Sequence, residues 1–345
     1  MKGCVMKAAF MKSPNKFIVK DVDMRQLKES EVLVKVGACG LCGYDLILSA
    51  GGTEDWQPFG HEVSGLVVEK GRLADNVQIG EKVVLQSGTF DRYSEHVLNG
   101  RTDLDTKGKV LWPDDGRTMG FAEYMIVPME LCVPFDELTF EEACLTEPLG
   151  VALDLVQTAD IRLNDNVLVW GLGPIGLMAL KLACSMGAAV ICGASRSYAV
   201  ARNDLAMKFG AKDVIFTDTV PIEEYGFPAG GIDKILLTAP PSEIPSSIKL
   251  CNRGGIIAYL GIEYGANAKV TFDANEFHFK KLQLRSSFAS PCLNFPMSLD
   301  LIRNGVVPVK DLITNRFVID DLPDEIDRFM NDKVTAIKAV MISGE

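Results

Sequence analysis

Three side chains able to hold a transition metal fall within a short span of this sequence. Cys42 stands in a glycine-rich turn, Gly37-Ala38-Cys39-Gly40-Leu41-Cys42-Gly43-Tyr44-Asp45, and His61 and Glu62 follow in Phe59-Gly60-His61-Glu62-Val63-Ser64-Gly65. A thiolate, an imidazole and a carboxylate brought together after a turn suit Zn²⁺, which accepts S, N and O ligands. Cys39 and Cys42 also have the spacing of a redox pair or of half a structural zinc site, yet no second C-x-x-C follows. Cys39 therefore reads as a small buried residue. His61 is one of only three histidines; a core histidine is the ordinary role, and the Gly-His-Glu setting is what argues for a ligand. Asp45 reads as a hydrogen-bond acceptor beside the turn rather than as a catalyst.

A second chemistry is carried by Gly171-Leu172-Gly173-Pro174-Ile175-Gly176. The apolar run Val167–Trp170 before it reads as a buried strand, and Leu177–Ala183 after it as a helix. Glycines between a strand and a helix let backbone approach a pyrophosphate, whose charge the helix N-terminus favours. Gly171, Gly173, Pro174, Ile175 and Gly176 are thus expected to contact a dinucleotide. About 20 residues further on, an NAD-preferring site carries an acidic residue for the ribose hydroxyls. This chain has Gly193-Ala194-Ser195-Arg196-Ser197 there instead. A small hydroxyl and a guanidinium remove repulsion against a 2′-phosphate and supply a charged planar donor for it. Ser195, Arg196 and, from the next helix, Arg202 are the candidate contacts, and NADP(H) is favoured over NAD(H).

The elements that must position these residues are legible as alternating apolar runs. Met6–Phe10 and Phe17–Val19 read as strands around a turn, and Glu31–Val36 alternates as a half-buried strand does. After the glycine turn, Ala189–Gly193, Asp213–Phe216, Ile232–Leu237 and Ile256–Gly261 are short apolar segments separated by helical or turn-rich stretches, and Leu282–Phe288 reads as the last strand. Such alternation implies an α/β fold with a doubly wound parallel sheet. At 345 residues two domains are expected. A net charge of −11 argues against nucleic acid or an anionic membrane as partner. Met1–Lys7 shows no long apolar run or cleavage signature, so no secretory signal is expected and the cytoplasm is the expected compartment. Nine scattered cysteines point to free thiols and metal ligation rather than disulfides.

Taken together, the motifs resemble the zinc-containing medium-chain dehydrogenase/reductase superfamily, the alcohol and polyol dehydrogenases. Cys42-Gly43-Tyr44-Asp45 is similar to its C-G-[ST]-D ligand turn, and Gly60-His61-Glu62 with Gly65 and Gly71 to its G-H-E-x-x-G-x5-G signature. Gly80-Glu81-Lys82-Val83 and Gly120-Phe121-Ala122-Glu123-Tyr124 resemble two further segments, in the family's own order. The resemblance implies a mainly β, GroES-like catalytic domain from residues 1–149 and 288–345, and a Rossmann domain from 150–287. It implies that Cys42 and His61 ligate zinc. Glu62 and Glu147, the latter in Thr146-Glu147-Pro148-Leu149, match the polyol and sugar (sorbitol dehydrogenase-like) branch. Four ligands would close the site, so one glutamate, Glu147, is expected to exchange with water or substrate or to bind it through a hydrogen bond.

The implied activity is interconversion of a secondary alcohol, on a polyol, sugar or cyclitol, with its ketone by hydride transfer to or from a nicotinamide. A homodimer or homotetramer is the implied assembly. Two features depart from the family. Tyr44 and Ile47 stand where relatives often carry the Ser/Thr and His of a proton route; Tyr44 offers a longer hydroxyl and Ile47 none. Leu85 to Pro128 contains no cysteine, so no structural zinc is expected, and the polar segment Thr89–Asp115 must be ordered by other means. Two other readings stay open: a zinc-free reductase of activated double bonds with the same fold, and a non-catalytic binding relative.

Overall fold

A computed structural model describes residues 5–108, 118–227, 230–288 and 294–343. The chain divides into two compact units: Met1–Gly150 with Ser290–Asp332 and Lys338–Glu345, and Val151–Ala289 with Lys333–Ile337.

The first unit is built on a seven-stranded sheet. Glu31–Gly40 lies at its centre, paired antiparallel with Glu62–Lys70, Tyr124–Pro128 and Lys338–Ile342. Lys82–Leu85 and Cys132–Pro134 continue the sheet on one side, and Ile313–Phe317 closes the other. The alternation of Glu31–Val36 predicts a strand wet on one face, but only Lys35 is exposed along Glu31–Gly40. The strand's ladder neighbours flank only its edges; its faces are covered by packing, with Phe140 against Gly37 and Phe59 and Phe121 joining Val32, Val34 and Val36 in the core. Its polar first residue, Glu31, is buried as the partner of Arg25, whose Nη1 and Nη2 donate to the carboxylate at 2.5 and 2.9 Å. A second, three-stranded sheet, Lys16–Asp23, Val5–Lys12 and Gln57–Pro58, completes this unit. The core joins Val32, Val34, Val36, Phe59, Phe121 and Met125.

The segment from Thr89 is described as far as residue 108. It contains a short helix, Glu95–Leu98, and its order comes from charges: Asp105 accepts from the Asp91 amide at 2.8 Å, Lys107 pairs with Asp91 at 2.8 Å, and Arg101 pairs with Asp103.

The second unit is a six-stranded sheet, parallel throughout. Its spatial order is Asp213–Phe216, Val190–Ser195, Asn166–Trp170, Ile232–Leu237, Cys251–Tyr259, Gln283–Ser286. Numbered along the chain this is 3-2-1-4-5-6, the doubly wound order whose strand reversal leaves a crevice at the carboxyl ends of the central strands. The central strands are apolar runs because helices cover both faces of such a sheet, whereas the edge strand Gln283–Ser286 is polar and only partly buried. Among the described residues no helix is long and apolar enough to cross a membrane.

Candidate active site

The metal-binding candidates converge because three adjacent strands begin or end at one place. Gly40 closes the central strand opposite Glu62 on one neighbour and Val340 on the other. Leu41 then donates to the Ala339 carbonyl at 2.9 Å, and Cys42 caps the helix Gly43–Gly51. Cys42 Sγ accepts from the Tyr44 amide at 3.4 Å, while the Cys42 amide donates to Asp45 Oδ2 at 3.1 Å. This reciprocal cap fixes where the thiol points.

One ligand atom from each of Cys42, His61 and Glu62 lies within 4.8 Å of the others. A tetrahedral zinc shell has ligand–ligand edges of roughly 3.3–3.8 Å, so a small contraction would close these donors on a cation. His61 is 5% exposed and Glu62 1%. His61 Nδ1 faces Asp45 Oδ1 at 3.4 Å, an ion-pair distance outside hydrogen-bond geometry, which leaves Nε2 as its donor to a metal. Burial would lower the imidazole pKa, but the neighbouring Asp45 and Cys42 groups outweigh it and raise it well above its ordinary value. Burial pushes the Cys42 thiol up, against a downward pull from His61. A buried set of soft and hard donors, with charges lacking enough partners of their own, fits a zinc ion.

Sequence reasoning missed the residue that faces Glu62 from the last strand. Lys338 is 2% exposed, and its Nζ stands 2.5 Å from both carboxylate oxygens of Glu62. Oε1 accepts the hydrogen bond; Oε2 lies outside hydrogen-bond geometry and is left for another partner. Nζ also donates to the Leu41 carbonyl at 2.8 Å. The only signal in the sequence is a lone lysine inside the apolar run Ala336–Ile342.

Glu147, in the first turn of the helix Thr146–Thr158, is not one of the three donors within 4.8 Å. Its Oε1 accepts from Ser87 Oγ at 3.2 Å. Burial pushes its carboxyl up to about 7, with His61 and Lys338 pulling it down and Glu62 raising it, so it lies within electrostatic reach of the cluster. Tyr44 is half-buried at the first turn of its helix, and Ile47 is 39% exposed.

The glycine turn of the second unit has the local geometry a dinucleotide demands. Gly171 adopts φ +105°, where a Cβ would strike Thr238 Oγ1 and come within 2.8 Å of the Ala239 amide. A Cβ on Gly176 would run into the Gly171 carbonyl, so strand and helix can meet only without a side chain there. Nothing lies within 4 Å of a Cβ placed on Gly173, the open position a ligand could approach. Pro174 opens the helix Pro174–Ser185, Gly173 provides no capping side chain, and the amides of Ile175 and Gly176 have no intrahelical acceptor. Such a terminus is ready for an anion.

Ser195 ends its strand half-buried, and Arg196 follows it exposed. Arg202 donates Nε to the Ala336 carbonyl at 3.0 Å, which ties its guanidinium to that segment.

A doubly wound nucleotide sheet and a buried S/N/O donor cluster in one chain define the class of metal-linked nicotinamide oxidoreductases. Comparison with known proteins narrows this. Residues 28–137 match the alcohol dehydrogenase GroES-like domain and residues 174–304 the zinc-binding dehydrogenase domain. The chain is 30% identical to the (R,R)-butanediol dehydrogenase of Bacillus subtilis over 93% of its own length and 94% of the relative's. It is 25% identical to the D-xylulose reductase of Saccharomyces cerevisiae over 97% of each chain. A crystal structure described as a candidate zinc-binding dehydrogenase from Sinorhizobium meliloti 1021, bound to NADP, matches with TM-score 0.86 and 26% identity, covering 98% and 99% of the two chains. The chain belongs to the zinc-containing medium-chain dehydrogenase family, in its polyol dehydrogenase branch, and is an alcohol/polyol dehydrogenase-type oxidoreductase.

Proposed function

We propose that this enzyme is a zinc-dependent, NADP(H)-linked dehydrogenase that interconverts a secondary alcohol of a polyol, sugar or cyclitol with its ketone. The observation that carries the reading is the buried Cys42–His61–Glu62 cluster, in a chain whose relatives include a butanediol dehydrogenase and a xylulose reductase. Bound at these three donors, one zinc would supply Lewis acidity toward the oxygen of the alcohol or ketone. Asp45 places its carboxylate 3.4 Å from His61 Nδ1, leaving Nε2 to serve the metal, and Lys338 balances the charge of Glu62. Glu147, tethered by Ser87, binds water or substrate hydroxyls at the edge of the cluster. Tyr44 supplies the hydroxyl that passes the alcohol proton outward. At the nucleotide turn, Gly171, Gly173, Pro174, Ile175 and Gly176 take the pyrophosphate, and Ser195, Arg196 and Arg202 the adenosine end.

The enzyme acts in the cytoplasm as a homodimer or homotetramer formed through its nucleotide unit. In support of the assembly, Ile262, Tyr264, Phe272 and Phe279 are exposed apolar residues of that unit, 45%, 54%, 38% and 67% open. The test is a panel of polyols and their ketones assayed with both NADP(H) and NAD(H), alongside zinc content. Turnover that requires zinc and is lost in Cys42→Ser supports the reading; turnover without metal, or none with any alcohol, sinks it. A strong NAD preference removes the NADP assignment alone.

A further inference from the structure

The turn that presents Arg196 is held from outside by the neighbouring strand. The Ser195 carbonyl accepts from the Thr217 amide at 2.9 Å and from Thr217 Oγ1 at 3.3 Å. Asp218, next in the chain, accepts from the Ser197 amide on Oδ1 and from Ser197 Oγ on Oδ2, both at 2.8 Å. Asn203 Nδ2 donates to the Arg196 carbonyl at 3.0 Å. The Ser195-Arg196-Ser197 backbone is therefore anchored on both sides of Arg196, and the Ser197 hydroxyl is already committed to a carboxylate. Ser197 donations hold the Asp218 carboxyl below its ordinary range, and the Arg196 charge adds to that effect. Arg196 also pulls down the carboxyl of Glu243, which burial otherwise raises. The guanidinium expected to recruit a 2′-phosphate thus shares its field with carboxylates.

We infer that Asp218 is a specificity-determining residue of the adenosine pocket: it positions the Arg196 turn, and its fixed negative charge opposes the 2′-phosphate that Arg196 attracts. This rests on the proposed placement of the adenosine end at Ser195 and Arg196. Coenzyme choice becomes a balance between the Arg196 cation and the carboxylates in its field, of which Asp218 is the one that also anchors the turn. Asp218→Asn keeps an acceptor for the Ser197 amide and a partner for its hydroxyl, so it removes charge while keeping the anchor. Deleting one charge a few ångströms from a dianion in high dielectric is worth about three- to tenfold in affinity at low salt, and less when screened.

The experiment titrates the full-length protein with 2′,5′-ADP and with 5′-AMP, in wild type, Asp218→Asn and Arg196→Ala, at low and high salt. The expected result is a three- to tenfold gain in the preference for 2′,5′-ADP in Asp218→Asn, shrinking at high salt, and a loss of preference in Arg196→Ala. A merely structural aspartate would weaken both ligands alike in Asp218→Asn; that outcome, or an unchanged ratio, overturns the inference. The wild-type ratio tests the NADP reading separately: a preference for 5′-AMP sinks that reading, while the direction of the Asp218→Asn shift still decides the role of Asp218.

Discussion

Replacing Lys338 by Met gives the sharpest test of how the metal cluster is balanced. Methionine fills a comparable volume but removes the ammonium that stands 2.5 Å from both oxygens of Glu62. Glu62 is 1% exposed, so its carboxylate cannot turn to water in place of the lost partner. Breaking a buried ion pair by deleting one member costs about 3–5 kcal/mol, because the other charge stays buried and unpaired. The Leu41 carbonyl loses a donor as well, adding about 1 kcal/mol. Converting Glu62 to Gln in the same protein removes the stranded charge, so the double variant should recover most of the loss. Denaturant unfolding of chelator-treated protein measures both differences. Loading with zinc should shrink the penalty, since a cation held by Glu62 offsets the charge that Lys338 otherwise balances. A cost below about 1 kcal/mol for Lys338→Met, or no recovery in the double variant, would refute the reasoning.

Gly40→Ala should loosen the same cluster from the other side. The added Cβ would run into the Glu62 carboxylate and stand 3.1 Å from Lys338 Cε, so competition with a chelator should show zinc affinity falling about 10–100-fold. Gly176→Ala would press a Cβ against the Gly171 carbonyl; calorimetry should register nucleotide binding lost and about 1–3 kcal/mol of stability with it. Away from either site, burial tends to raise the Glu31 carboxyl, but Arg25 and the Lys28 amide outweigh it and hold it below 4.5. A carboxyl depressed in the folded state contributes stability above its unfolded pKa and loses it as pH falls through the folded value. Glu31→Gln should therefore cost about 1–2 kcal/mol at neutral pH, and the gap from wild type should narrow in denaturation curves as pH falls below the ordinary carboxylate range.

What the sequence revealed and what it hid divide along the range of the interactions. The glycine turn is legible because Gly171, Gly173 and Gly176 fall within six residues between a strand and a helix, although the close approach that excludes a Cβ at Gly171 comes from Thr238 and Ala239 and is invisible in the spacing. Cys42, His61 and Glu62 are legible because each sits in a short glycine-punctuated segment of distinctive composition. Lys338 is not, since its partner is 276 positions away and the pairing exists only through the register that sets Val340 opposite Gly40. Asp218 was hidden likewise: it reaches Ser197 because Ser195 and Phe216 are aligned across two parallel strands. The alternation in Glu31–Val36 marks a strand correctly but not its burial, which depends on what packs over its two faces.

These long-range partners share a physical logic. Glu62 begins one strand, Lys338 another, and Cys42 follows the end of the strand between them, so antiparallel register brings a carboxylate, an ammonium and a thiol to one point. Strand ends are where backbone groups lose their ladder partners and where side chains can turn from the sheet plane toward a ligand. Burying a glutamate there is tolerable only with a countercharge, which Lys338 provides whether or not a cation is bound. On the proposed reading the cluster can thus fold before it is loaded, with Oε2 of Glu62 left without a hydrogen-bond partner. If Lys338 has this role, chelator-treated wild type and Lys338→Met should both show native near-ultraviolet dichroism without denaturant, and the variant should lose it at a lower denaturant concentration.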